Sequence, residues 1–135
     1  MTSGEAHTSV FSRMLALRKI PPFDRLSEAE LILIAEVAEL RLFEPGQIAH
    51  NSGSPLGCLW VTIAGELIAE DGRPAGQING LSALLANALT PGLRAGPAGA
   101  EILVITKGYF FTLTRECPAF VLGLLTAGHS RAPQP

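Results

Sequence analysis

Glycine and proline punctuate the stretch from Glu44 to Ala100 so closely that no long helix fits within it, and this feature constrains the fold most. The whole chain carries 14 glycines and 10 prolines in 135 residues. Between the breakers lie short runs suited to strands. Glu44-Pro45-Gly46 reads as a turn, Gln47 to His50 as a strand and Asn51 to Pro55 as a loop. Cys58 to Ala64 is strongly β-prone, with Leu59, Trp60, Val61, Thr62 and Ile63 in succession. Gly65 ends or bulges that strand, and Glu66 to Glu70 starts the next. Asp71-Gly72 is the strongest hairpin signal in the chain. A further short strand surrounds Ala75 to Ile78, and Leu81 to Leu89 reads as a short helix broken by Thr90-Pro91-Gly92. Leu93 to Ala95 and Glu101 to Thr106 read as paired strands joined by a Gly96-Pro97-Ala98-Gly99 turn.

Both ends are helical. Thr8 to Lys19 places Val10, Met14 and Leu17 at helical spacing, and Pro21-Pro22 stops that helix because neither proline can donate a backbone hydrogen bond. Ser27 with Glu30 forms a capping box, and Leu26 with Leu31 fits a hydrophobic staple. The helix they open carries Leu31, Ile34, Ala35, Ala38 and Leu42 on one face and should end near Arg41. Lys107 to Arg115 reads as helix, and Pro118 opens another through Leu125 that Gly128 can close. The order predicts an α+β fold, mainly β, with a barrel or sandwich between terminal helices. At about 100–200 residues per domain, the length suits one domain with a single core. Residues 1–43 would hold the N-terminal helices, 44–106 the barrel with its helix at 81–89, 107–128 the C-terminal helices, and 129–135 a frayed tail.

Composition excludes several classes. Charged residues are 16% and hydrophobic ones 47% of the chain, which rules out intrinsic disorder. A net charge of −2 argues against nucleic-acid binding, which needs a basic surface. The N-terminus lacks a cationic stretch followed by an apolar one, and the longest strongly apolar run, Leu31 to Ala35, is far too short to span a bilayer. A cytoplasmic location without membrane insertion is the expectation. Cys58 and Cys117 form no C-x-x-C pair and read as small buried hydrophobes. His7, His50 and His129 are too scattered for a metal-binding jelly-roll enzyme, and no nucleophile elbow, P-loop or dinucleotide fingerprint is present. Glu28, Glu30, Glu36 and Glu39 read as a solvated helix face. No enzyme is indicated and no metal is expected.

Three segments carry a family likeness. They are Leu17-Arg18-Lys19-Ile20-Pro21-Pro22-Phe23 with Leu26 to Leu31, Phe43-Glu44-Pro45-Gly46-Gln47-Ile48, and Gly53-Ser54-Pro55 followed by Leu59 to Leu67. With these, the chain from about Leu17 to Leu125 resembles a cyclic-nucleotide-binding domain, the module of bacterial cAMP-responsive regulators, protein kinase A regulatory subunits and gated channels. The resemblance implies an eight-stranded jelly-roll barrel that holds its ligand inside, one short helix inserted between barrel strands, and outer helices that move on binding.

It also implies a phosphate-binding cassette, in which a helix N-terminus and an arginine hold the cyclic phosphate and a glutamate accepts from the ribose hydroxyl. The matching segment is Asn79-Gly80-Leu81-Ser82-Ala83-Leu84-Leu85, so Gly80, Leu81, Ser82 and Ala83 are the candidate ligand-binding residues, with Thr90 and Arg94 beyond them. Leu81 stands where the glutamate belongs, and the arginine position falls near Leu89-Thr90, where no arginine occurs. Arg94 is the one charged residue between Pro74 and Ala100, and reads either as a substitute phosphate ligand or as a solvent-facing strand residue. Losing one partner of a buried charge pair costs about 2–5 kcal/mol, and losing the ribose acceptor adds about 1–2 kcal/mol.

The reading is therefore a cyclic-nucleotide-binding-like regulatory domain whose grip on cAMP or cGMP is weakened or lost. The alternative is an interaction or dimerisation scaffold without a nucleotide, docking through Val10, Met14 and Leu17 on the first helix and Phe120, Val121, Leu124 and Leu125 on the last. For those residues, packing against the barrel is the competing reading, and Trp60 reads as a core anchor.

Overall fold

The computed structural model describes residues 9–130. Its elements are α1 (Val10–Leu17), α2 (Glu28–Val37), β1 (Glu39–Phe43), β2 (Ile48–His50), β3 (Cys58–Ala69), β4 (Ile78–Asn79), α3 (Leu81–Ala86), β5 (Leu93–Thr106), α4 (Lys107–Glu116) and α5 (Pro118–Ser130). Thr8 and residues 131–135 lie outside the described part. The architecture is mixed helix and antiparallel sheet, as expected. The strands form one open sheet in the order β1-β5-β3-β4, with β2 also paired to β5.

Local chemistry sets the helix starts. Ser9 Oγ accepts from the Ser12 N–H at 3.1 Å and caps α1. Both arms of the capping box form on α2: Glu30 N–H donates to Ser27 Oγ at 3.1 Å and Ser27 N–H to Glu30 Oε1 at 2.8 Å. The C-terminus of α2 differs from the expectation of a helix to Arg41. Ala38 already has extended backbone (ψ 142), and Glu39 to Phe43 pair with Val104 to Ala100. The Glu-Leu-Arg-Leu run has good helix propensity, but strand pairing to β5 supplies its backbone hydrogen bonds and overrides it. Leu42 consequently leaves the α2 stripe and is exposed, while Leu31, Ile34, Ala35 and Ala38 are buried as the stripe requires.

Five strands stand among the described residues, where the resemblance implied eight; of the six read from the residues, two pairs broken at glycine merge into long strands, and β1 is added. β3 continues through Gly65 with a bulge instead of ending there. β5 replaces the expected paired strands Leu93 to Ala95 and Glu101 to Thr106. Those segments do not pair with each other; both pair with β3, as Leu67↔Ala95 on one side of Glu66 and Gly65↔Ala100 on the other. Gly96 to Gly99 therefore bulges out opposite Glu66 instead of turning the chain back. Gly65 has φ +70, and a Cβ there would run into the Gly99 carbonyl oxygen, so glycine is needed at the point where the two long strands cross their bulges. The Asp71-Gly72 turn forms: Ala69 N–H donates to the Arg73 carbonyl at 2.9 Å, and Ala75 N–H to Leu67 at 2.9 Å. The strand expected around Ala75 to Ile78 is reduced to β4 and an isolated Ile68↔Pro74 bridge. At the other end, α5 runs on through Gly128.

Period-2 alternation divides the interior in two. Leu59, Val61, Leu103 and Ile105 face a helical core with Met14, Leu17, Phe23, Leu31, Ile34, Phe110 and Phe120. Trp60, Ile102 and Val104 face an inner core with Leu67, Leu93, Ala95 and Ala100. Trp60 is buried and stacks on Phe43 with ring centroids 5.8 Å apart, in keeping with its reading as an anchor.

Candidate functional site

A groove of about 740 Å³ runs along the segment from Ala75 to Ala83 and continues over Leu89, Thr90 and Pro91. Pro21 and Leu124 of α5 close its far side. The sequence-derived residues Gly80, Leu81, Ser82, Ala83 and Thr90 all line it. Arg94 does not. It is exposed on β5 between Leu93 and Ala95, whose side chains enter the inner core, so alternation sends the guanidinium to the opposite face.

The site's backbone is set by two left-handed residues. Gly80 has φ +99 and precedes α3; a Cβ there would collide with the Cys58 carbonyl oxygen, which ties the start of α3 to the first residue of β3. Asn87 (φ 56) ends the helix at Ala86, short of the expected Leu89, and its N–H donates to the Ala83 carbonyl at 2.9 Å. The chain then returns to the sheet: Thr90 N–H donates to the Ser54 carbonyl at 3.0 Å. Ala83 and Leu84 are buried beneath α3, whereas Leu85 and Leu89 are exposed. On the β5 side, Gly92 N–H donates to Glu70 Oε2 at 2.9 Å. That bond, assisted by the Ser52 hydroxyl, holds the Glu70 carboxyl below its usual range. Glu70 does not line the groove.

Sequence reading missed the amide side chains of Gln77 and Asn79 on the groove wall. Asn79 Nδ2 donates to the Gly76 carbonyl at 3.3 Å. It also missed Thr62, whose Oγ1 is buried without a hydrogen-bond partner among the described residues. His50 Nε2 lies 3.0 Å from the Ser54 carbonyl and so acts within its own loop. Among the described residues, no group of three or more His, Cys, Asp or Glu side chains could hold a metal ion. No helix among them is long and apolar enough to cross a membrane.

Of the terminal-helix residues expected as docking candidates, Met14, Leu17, Phe120 and Leu124 are at most 2% exposed and belong to the helical core. Phe120 packs on Phe23 at 5.0 Å. Val10 and Val121 are half-buried, and Leu125 is exposed. Packing against the sheet and its neighbours explains most of that set.

Comparison with solved structures identifies the architecture. The chain is similar to the catabolite activator protein of Thermus thermophilus (TM-score 0.68, 19% identity, covering 83% of this chain and 58% of that one). It is also similar to the cAMP-bound regulatory domain of Toxoplasma gondii PKA (TM-score 0.67, 15% identity, covering 90% and 49%). A third likeness is the sensor domain of the transcriptional regulator DNR from Pseudomonas aeruginosa (TM-score 0.63, 14% identity, covering 90% and 89%). The chain thus spans 58% and 49% of the first two and most of the third. No protein-family model and no curated protein matches the sequence. The fold is that of a cyclic-nucleotide-binding domain, and the matched proteins are regulatory domains and transcription regulators.

Proposed function

We propose that this chain is a regulatory domain of the cyclic-nucleotide-binding type in which the grip on a cyclic nucleotide is weakened or lost. One observation carries the reading: among the described residues, no Asp, Glu, Lys, Arg or His side chain lines the groove beside the cassette segment. A cyclic phosphate carries a full negative charge, and removing it from water without a counter-charge is costly. Leu81 and Leu89 occupy the wall where the family resemblance implies a glutamate and an arginine, and Arg94 lies on the outer face of β5. In this reading the bulged strands β3 and β5 each serve as two strands of a jelly roll. Residues 1–135 act as one domain with a non-catalytic role in the cytoplasm.

Isothermal titration with cAMP and cGMP tests it. Absence of heat at about 1 mM ligand supports a weakened grip; micromolar binding would remove the reading. A second reading, an interaction scaffold, draws on Leu122 and Leu125, which are 65% and 45% exposed on α5 beside the buried Leu124. Concentration-dependent self-association in sedimentation, lost in Leu122→Ser, is its expected sign.

A further inference from the structure

We propose that the groove beside α3 binds an uncharged, nucleoside-like molecule, meaning a flat apolar heterocycle with a hydrogen-bonding edge and neutral hydroxyls. This rests on the reading of the site given above and adds the ligand class. The wall offers two kinds of surface. Ile78 and Leu124 supply apolar contact, while Gln77, Asn79, Ser82 and Thr90 supply amides and hydroxyls. Every polar side chain among these is neutral. An amide presents a donor and an acceptor side by side, the pattern that Asn and Gln use against the N6/N7 edge of adenine. The Asn79 amide is oriented by its 3.3 Å bond to Gly76. Hydroxyls of Ser82 and Thr90 can donate to or accept from ribose hydroxyls, since each carries one proton and two lone pairs. The volume of about 740 Å³ is within the range of small-molecule sites. An anionic group would meet these same walls without a counter-ion, so charge is selected against while the base and sugar are not.

Adenosine and cAMP form a suitable probe pair, because they share base and ribose ring and differ by the cyclic phosphate. The full chain, labelled with nitrogen-15, is titrated with each ligand, and backbone amide shifts are followed. The expected result is saturable shifts from Gly76 to Ala83 with adenosine, a Kd on the order of 0.1 mM, and at least ~10-fold weaker binding of cAMP. Ser82→Ala, at an exposed position that leaves the core untouched, should weaken adenosine several-fold with an unchanged unfolding midpoint. Thr90→Val, at a buried position where valine keeps the side-chain shape, should also weaken adenosine several-fold, with the nitrogen-15 spectrum showing that the fold is kept. Three results would overturn the proposal. Silence with both ligands removes this inference and leaves the weakened-grip reading standing. Binding of cAMP as tight as adenosine removes this inference alone, and micromolar binding of cAMP removes both. Adenosine shifts confined to residues away from the groove, or unaffected by Ser82→Ala and Thr90→Val, remove the site assignment.

Discussion

The Cys117 thiol donates a hydrogen bond of 3.1 Å to Glu30 Oε2, joining residues 87 positions apart in the chain. Glu30 is also the capping-box residue of α2, its other oxygen accepting from Ser27 N–H at 2.8 Å. One carboxylate therefore closes the start of α2 and holds the junction between α4 and α5. Burial, followed by this hydrogen bond and the Glu30 charge, raises the Cys117 thiol from its ordinary 9.0 to about 11.

A raised thiol pKa means that the folded chain holds its proton more tightly than the unfolded chain. The resulting stabilisation is complete below pH 9.0 and is lost as pH rises through about 11. Chemical denaturation followed from pH 8 to 11 should show a decline that Cys117→Ala flattens. Alkylation of Cys117 by iodoacetamide at pH 8 should be slower than that of a free small thiol; equal rates would contradict the burial argument. Glu30 shifts the other way. The Ser27 backbone bond, then the Cys117 bond, lowers its pKa, so its contribution is present above 4.5 and is lost as pH falls through the depressed value.

Arg13 on α1 places Nη1 3.2 Å from the Ala35 carbonyl and 3.1 Å from the Ala38 carbonyl, where α2 ends. A cation there satisfies unpaired carbonyls and complements the negative end of the helix. Arg13→Ala should lower the unfolding free energy by about 1–2 kcal/mol in urea. Lysine, without the planar fork, should restore only part of it. No change on Arg13→Ala would show that the contact contributes nothing net.

Gly65 and Gly72 separate steric necessity from conformational preference. Both have positive φ, +70 and +87, but only Gly65 would drive a Cβ into neighbouring backbone; nothing lies within 4 Å of one at Gly72. Gly65→Ala should cost about 2–4 kcal/mol or prevent folding, whereas Gly72→Ala should cost about 1 kcal/mol. Similar losses at the two sites would show that the β3–β5 crossing tolerates a side chain.

Leu81 and Leu89 line the groove without charge, and Leu89 is 64% exposed, so an arginine can extend there without breaking the core. Under the proposed function, the double variant Leu81→Glu/Leu89→Arg should gain cAMP affinity. Each polar partner is worth about 1–3 kcal/mol, so a rise of about 10-fold or more is expected in calorimetry. An unchanged heat signal from a folded double variant would place the loss of grip elsewhere in the site.

Much of the fold is legible in the residues. The capping box at Ser27, the hairpin at Asp71-Gly72, the Pro118 helix start and the β-prone run around Trp60 are local signals, and the structure holds each of them. Of the residues singled out in the sequence, Gly80, Leu81, Ser82, Ala83 and Thr90 come together on one groove wall, and Arg94 does not. What was not legible depended on partners distant in the chain. Glu39 to Phe43 looks helical until β5 lies beside it, and Gly96 to Gly99 looks like a turn until β3 pairs on both sides of it.

The amino-acid order by itself determined most of the helices and strands, where most of them begin, and that leucine stands at positions 81 and 89, where the family resemblance implies charge. Those are properties of neighbouring residues, governed by backbone freedom, capping and the absence of an ionisable group. Only the tertiary structure decided which glycines are bulges and which are turns, that Arg94 points away from the groove, and that Gln77, Asn79 and Leu124 share its wall. A side chain's face is set by strand register, and register is settled by pairing between segments that the sequence keeps far apart.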